Sequence, residues 1–194
     1  MQILYSKGYM RLSISFILLA LLITTSIMPT KHVRIETKIV INKPIEQVWA
    51  QFKCVDAYSK WNTLFNIEKF PTQVGQQIKV DLYDENGKVK IQMQPVVLSL
   101  ENYRLEWEGK LYVNGLFNGR HQFIFQSLDE NTTELIQAED FNGLLIPFLN
   151  RTVIQPTLLN FRKMNVSFKT YVETYNLDSN LCSDTFNEKK LNEY

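Results

Sequence analysis

The chain has 194 residues, 21 lysines and arginines against 20 aspartates and glutamates, a formal net charge of +1 and 45% hydrophobic residues. That size and balance suit one globular domain with appendages. No run of basic residues and no stripe of aromatics interleaved with them is present, which excludes nucleic acid as a partner.

The first thirty residues differ in kind from the rest. Lys7 and Arg11 precede the uncharged run LSISFILLALLITTSIM at residues 12–28, closed by Pro29 and Lys31. A membrane span needs roughly 17–25 apolar residues, and a secretory signal has an apolar centre of roughly 7–15. Residues 1–30 therefore read as a signal anchor, with a cleaved signal peptide or a start codon placed too early as alternatives. An anchor implies membrane association through this segment, and cleavage implies export. Basic residues on both flanks leave the side of the membrane open.

HVRIETKIVINKP alternates through Val33, Ile35, Thr37 and Ile39, a strand that stops at Asn42 and Pro44. Asn42 is expected to cap the following helix, with Pro44 in its first turn. Ile45, Val48, Trp49 and Phe52 recur at helical spacing, and DAYSKWNTLF continues as a second short helix running into a loop. From Gly75 the period becomes two: Ile78, Val80 and Leu82, a DENG turn, then Val89, Ile91 and Met93 on the return of a hairpin. YRLEWEGKLYV, residues 119–127 and residues 133–141 complete a run of antiparallel strands with one apolar and one polar face. The last element, about residues 144–173, carries Ile154, Leu158, Phe161, Phe168 and Val172 on one stripe, with Pro147 and Pro156 expected to segment its early part. Residues 176–194 lack any period and read as a flexible polar tail beyond a domain at 31–175. Cys54 in a helical pattern and Cys182 in that tail read as two free thiols; metal-ligand spacings are absent, so no metal and no cofactor is expected.

This order predicts an α+β fold in which a curved antiparallel sheet wraps a long C-terminal helix. VWAQFKCVDAYSKWN (48–62), LEWEGKLYVNGLFNGRHQFIF (105–125), EDFNGLLIPFL (139–149) and LNFRKMNVSFK (159–169) resemble the START-like, helix-grip (SRPBCC) superfamily. Within it the chain is most similar to small bacterial polyketide cyclase/dehydrase or lipid-transport-like single-domain members. The resemblance spans about residues 33–173 and implies a helix-grip fold. Members bind sterols, lipids, hormones and polyketides and some are enzymes, so it does not fix the chemistry.

With the LDEN turn centred near Glu130, His121 falls opposite Glu139, Phe123 opposite Gln137, Phe125 opposite Leu135, and Arg120 opposite Asp140 on the other face. The His121/Glu139 face carries fewer charges and is taken as the inner one. Asn165 is the polar residue on the helix stripe that should cover it. A pocket lined by Trp107, Phe123, Phe125, Phe161 and Phe168, with His121, Gln137, Glu139 and Asn165 as sparse polar points, fits an amphipathic molecule. A satisfied structural pair in a packed core is the competing reading.

Three functions stay open. The first is a membrane-tethered carrier or sensor of a hydrophobic or lipid-like molecule; ten buried methylenes yield roughly 8 kcal/mol before association costs. The second is a cyclase, dehydratase or hydrolase acting on a ketide-like substrate, with His121 as general base and Glu139 orienting it. The third is a tethered interaction module with a collapsed cavity. Oligomeric state and ligand identity are not legible.

Overall fold

The computed structural model describes residues 31–84, 86–110, 115–175 and Cys182. Strand β1 (Lys31–Ile41) turns Ile35, Thr37 and Ile41 inward and Arg34, Glu36 and Lys38 outward, the alternation that its sequence carries. Helix α1 (Ile45–Lys53) comes next, but Asn42 does not cap it. Pro44 holds the cap position, and its carbonyl accepts from the Gln47 and Val48 N–H groups at 3.1 Å each. Asn42 gives its backbone N–H to Glu173 at 2.7 Å, tying the end of β1 to the C-terminal helix.

After a 3-10 turn (Val55–Ala57), α2 (Tyr58–Trp61) folds back on α1. Val48, Phe52, Tyr58 and Trp61 are all buried at this elbow, and the Tyr58 hydroxyl donates to the Phe52 carbonyl at 2.9 Å. Burial pushes the Tyr58 phenol up. The next stretch, expected as loop, contains strand β2 (Phe65–Ile67). Three residues are too few to show a period. Asn62 hides its start by accepting the Leu64 and Phe65 N–H groups with its side-chain oxygen, 3.1 Å each.

The hairpin of β3 (Val80–Tyr83) and β4 (Val89–Met93) joins β2 in a three-stranded sheet. Val89 and Ile91 alternate as expected but are exposed, because β4 is the outer edge and reaches past the core. Four longer strands come after it: β5 (Val96–Glu101), β6 (Arg104–Lys110), β7 (Asn118–Asp129) and β8 (Thr132–Gly143). With β1 they form a curved five-stranded antiparallel sheet in the order β1-β8-β7-β6-β5. A bridge between Gln77 and Val96, and a bond of 2.8 Å from the Gly75 N–H to the Val97 carbonyl, stitch the small sheet to β5.

The C-terminal helix is segmented where its prolines fall. Helix α3 (Ile146–Leu149) has Pro147 in its first turn, a π-helical turn spans Asn150–Ile154, and α4 (Gln155–Thr174) starts with Pro156. Pro156 has no N–H for the Thr152 carbonyl and its ring crowds that group; the wide π turn absorbs the conflict. Phe161, Met164, Asn165, Phe168, Tyr171 and Val172 of α4 are buried across the concave sheet.

The cysteines correct the free-thiol expectation. Cys54 and Cys182 are joined in a disulfide with their Cα atoms 5.2 Å apart, and both are buried. A partner 128 positions away, in a stretch without period, leaves no local signal of the pairing. The rest of the tail expected at 176–194 lies outside the described residues, as does the apolar run at 12–28. Among the described residues no helix is long and apolar enough to cross a membrane.

Candidate ligand-binding site

The register of β7 with β8 sets His121 opposite Glu139, Phe123 opposite Gln137 and Phe125 opposite Leu135. On one side β1 adds Thr37 opposite Gln137 and Ile35 opposite Glu139; on the other β6 adds Trp107 opposite His121. Helix α4 brings Phe161, Asn165 and Phe168 down onto the same face. Trp107, His121, Phe123, Phe125, Gln137, Phe161, Asn165 and Phe168 are buried together, and Glu139 is half-buried beside them.

A continuous polar seam crosses this interior. The Asn165 amide donates to Thr37 Oγ1 at 2.9 Å, and the Thr37 hydroxyl donates to the Gln137 carbonyl at 3.4 Å. The Gln137 amide donates to His121 Nε2 at 3.1 Å, placing the imidazole proton on Nδ1, and touches Met164 Sδ at 3.6 Å. Two acceptors in the seam, Gln137 Oε1 and Asn165 Oδ1, are buried with no hydrogen-bond partner among the described residues. The seam lies between two apolar clusters, one holding Phe52, Trp61, Phe123 and Phe168, the other holding Ile35, Phe141, Ile154 and Phe161.

Burial pushes both ionisable groups of the seam towards their uncharged forms. Burial lowers the His121 imidazole to about 3. Burial, with a smaller push from the Asp140 charge, raises the Glu139 carboxyl to about 8. No hydrogen bond joins the two; the imidazole takes the amide of Gln137 instead. Gly119 makes room for the carboxyl, since a side chain there would collide with Glu139 Oε1.

The aromatic lining is in mutual contact. His121 stacks between Phe123 and Phe161, with ring centroids 4.4 and 4.7 Å away, and Trp107 meets it edge-on at 5.0 Å. Trp61 lies 4.5 Å from Phe168 and Phe52 4.9 Å from Phe123. Admission of a ligand to the seam therefore requires these rings to move. Thr37, Phe52 and Trp61 pack with these residues but were not singled out by the sequence; the inward alternation of β1 and the helical stripe of α1 are the signals that mark the first two.

On the opposite face of the sheet, Arg120 and Asp140 are register partners as expected but do not form an ion pair. Arg120 binds the buried Glu106, which Arg104 also holds, while Asp140 is taken by Arg34 at 2.7 Å and His32 at 3.0 Å. Longer reach across β6 and β1 wins over direct opposition. A separate cleft of about 380 Å³ opens beside the disulfide, between Trp49, Lys53, Lys69, Phe70 and Leu100. No group of three or more potential metal ligands is found among the described residues.

No family model and no curated protein matches the sequence. Solved structures do. A Chromobacterium violaceum protein shares 16% identity at a TM-score of 0.57, over 73% of this chain and 98% of that one. A START superfamily protein from Mycobacterium smegmatis shares 15% identity at a TM-score of 0.53, over 74% and 98%. Norcoclaurine synthase from Thalictrum flavum, solved with dopamine and hydroxybenzaldehyde, shares 9% identity at a TM-score of 0.57, over 77% and 91%. Together with the strand order and the gripped C-terminal helix, these likenesses show that the chain has the helix-grip fold of those structures.

Proposed function

We propose that the chain is a membrane-tethered binding protein for an uncharged, largely apolar small molecule carrying a hydroxyl or amine donor, held between the concave sheet and α4. The observation that carries this is the pair of orphaned acceptors, Gln137 Oε1 and Asn165 Oδ1, in an otherwise aromatic interior. A buried polar atom without a partner costs about 1–3 kcal/mol. A ligand donor removes that cost, and the aromatic rings supply the apolar contact. No lysine or arginine is among the expected lining residues, and a carboxyl sits in the seam, so anionic head groups are disfavoured. The small molecules bound by norcoclaurine synthase support the reading by analogy of fold.

A buried disulfide supports placement on an oxidising side of the membrane, since such bonds persist in exported compartments and are rare in a reducing cytosol. The run at residues 12–28 would act as the tether.

The enzyme reading survives in altered form. An imidazole at about 3 is a weak base at neutral pH, so Glu139, at about 8, is the better-placed acid/base group.

Native mass spectrometry of the chain from Lys31 onward, Cys182 included and purified without detergent, tests the proposal. An adduct of defined mass, extractable into organic solvent, is expected. A bare protein mass that takes up nothing from a mixed pool of neutral lipids and alcohols refutes it.

A further inference from the structure

Register places the start of β1 beside the end of β8: Lys31 pairs with Gly143. Past Gly143 the chain runs on as LLIPFL at residues 144–149, in which only Ile146 is buried. Pro147 and Phe148 are exposed, Phe148 to 77%, the most of any large apolar side chain among the described residues. Leu116 adds to the same end, because the Leu144 and Leu145 N–H groups bond to the Gly115 and Leu116 carbonyls at 3.2 and 3.1 Å. Gly143, at φ 141°, lets that segment press against the strand end, where any side chain would strike the Leu116 carbonyl. Other exposed apolar residues, Val74, Val89, Ile91 and Leu128, and Leu159 and Val166 on α4, lie outside this segment and are each less exposed than Phe148.

Two exposed cations, Lys31 and Arg151, flank this tip, and neither has an ion-pair partner among the described residues. The apolar run at 12–28 ends three residues before Lys31, a reach of at most about 11 Å at 3.8 Å per step. A membrane-inserted run would therefore hold this end of the domain, and not the opposite one, at the lipid surface.

We infer that the tip formed by Leu116, Leu144, Leu145, Pro147 and Phe148 docks into a lipid bilayer, with Lys31 and Arg151 at its head groups. The inference rests on the reading of residues 12–28 as a membrane-entering segment. An exposed Phe148 and Pro147 with half-buried leucines around them and basic residues beside them are the composition of an interfacial anchor. Docking there turns the end of the seam nearest Glu139, Phe141 and α3 towards the lipid. A ligand that partitions into the bilayer would meet it without crossing water.

Neither described cysteine is free, so one introduced thiol can be labelled alone. The full chain is reconstituted in vesicles of phosphatidylcholine and phosphatidylglycerol, with a nitroxide at Phe148→Cys or Pro147→Cys and, at the far end, Leu128→Cys. Collision with oxygen and with a water-soluble nickel chelate gives each label's depth. Labels at 147 and 148 shielded from nickel and accessible to oxygen, with the label at 128 in water, are expected. Aqueous labels at both ends in protein that floats with the vesicles overturn the docking face while leaving the tether intact. Protein that does not float removes the tether and the docking together; neither result bears on whether the seam binds a ligand.

Discussion

His121 and Glu139 are direct partners across β7 and β8, yet the imidazole bonds to Gln137 and not to the carboxyl. Burial favours the neutral form of each group over an ion pair, because taking the two charges out of water costs desolvation that their attraction must repay.

This sets a pH profile. His121 drops from 6.5 to about 3 on folding, so between those values the unfolded chain holds the extra proton and stability rises with pH. Glu139 climbs from 4.5 to about 8, so between those values the folded chain holds the extra proton and stability falls with pH. The two slopes oppose each other from 4.5 to 6.5, giving a plateau, with a decline from 6.5 to about 8. Urea unfolding across this range should show that decline in the parent and its loss in Glu139→Gln. A Gly119→Ala change, which pushes the carboxyl outward, should move the decline to lower pH.

Asn165 separates a binding role from a structural one. Asn165→Leu removes the orphaned Oδ1 together with the amide bond to Thr37, and leaves Thr37 its bond to the Gln137 carbonyl. Stability of the empty protein should stay within about 1 kcal/mol of the parent or rise, since an unpaired buried acceptor is gone. Affinity for a hydroxyl-bearing ligand should fall about tenfold, the worth of one hydrogen bond. Calorimetric titration and denaturant melts on the same variant check both.

Phe161 is the ring that covers His121 from the helix side. Phe161→Ala should cost about 3–5 kcal/mol of stability, as for other large buried rings. In a binding protein the vacated space should also admit bulkier ligands, detected as a shift in the masses that co-purify.

Reduction of the disulfide should destabilise the fold by about 2–5 kcal/mol, because the bond closes a long loop in the unfolded chain. Cys54→Ser should reproduce the loss, read as a lower urea midpoint, and reducing agent should then have no further effect.

The inner face of β7 and β8 was legible because His121, Phe123 and Phe125 alternate with more polar neighbours, and a turn at Glu130 fixes their register with Leu135, Gln137 and Glu139. Asn165 was legible as an interruption of an apolar stripe. Which partner His121 chooses was not, since reach within a face is a matter of side-chain geometry that register alone does not set. Arg120 shows the same limit: its direct opposite is Asp140, but Glu106 on β6 is the carboxylate it reaches. Cys54–Cys182 and β2 were hidden for different reasons, one by distance along the chain and one by brevity.

A seam built as proposed accepts uncharged donors and rejects anions. The most direct measurement is uptake by the detergent-free protein from an equimolar pool of alcohols, amines and carboxylates of matched chain length, read by native mass spectrometry at pH 7. Bound alcohol or amine with carboxylate excluded is the expected result. Preferential uptake of the carboxylate, or of nothing at all, would rule out such a seam.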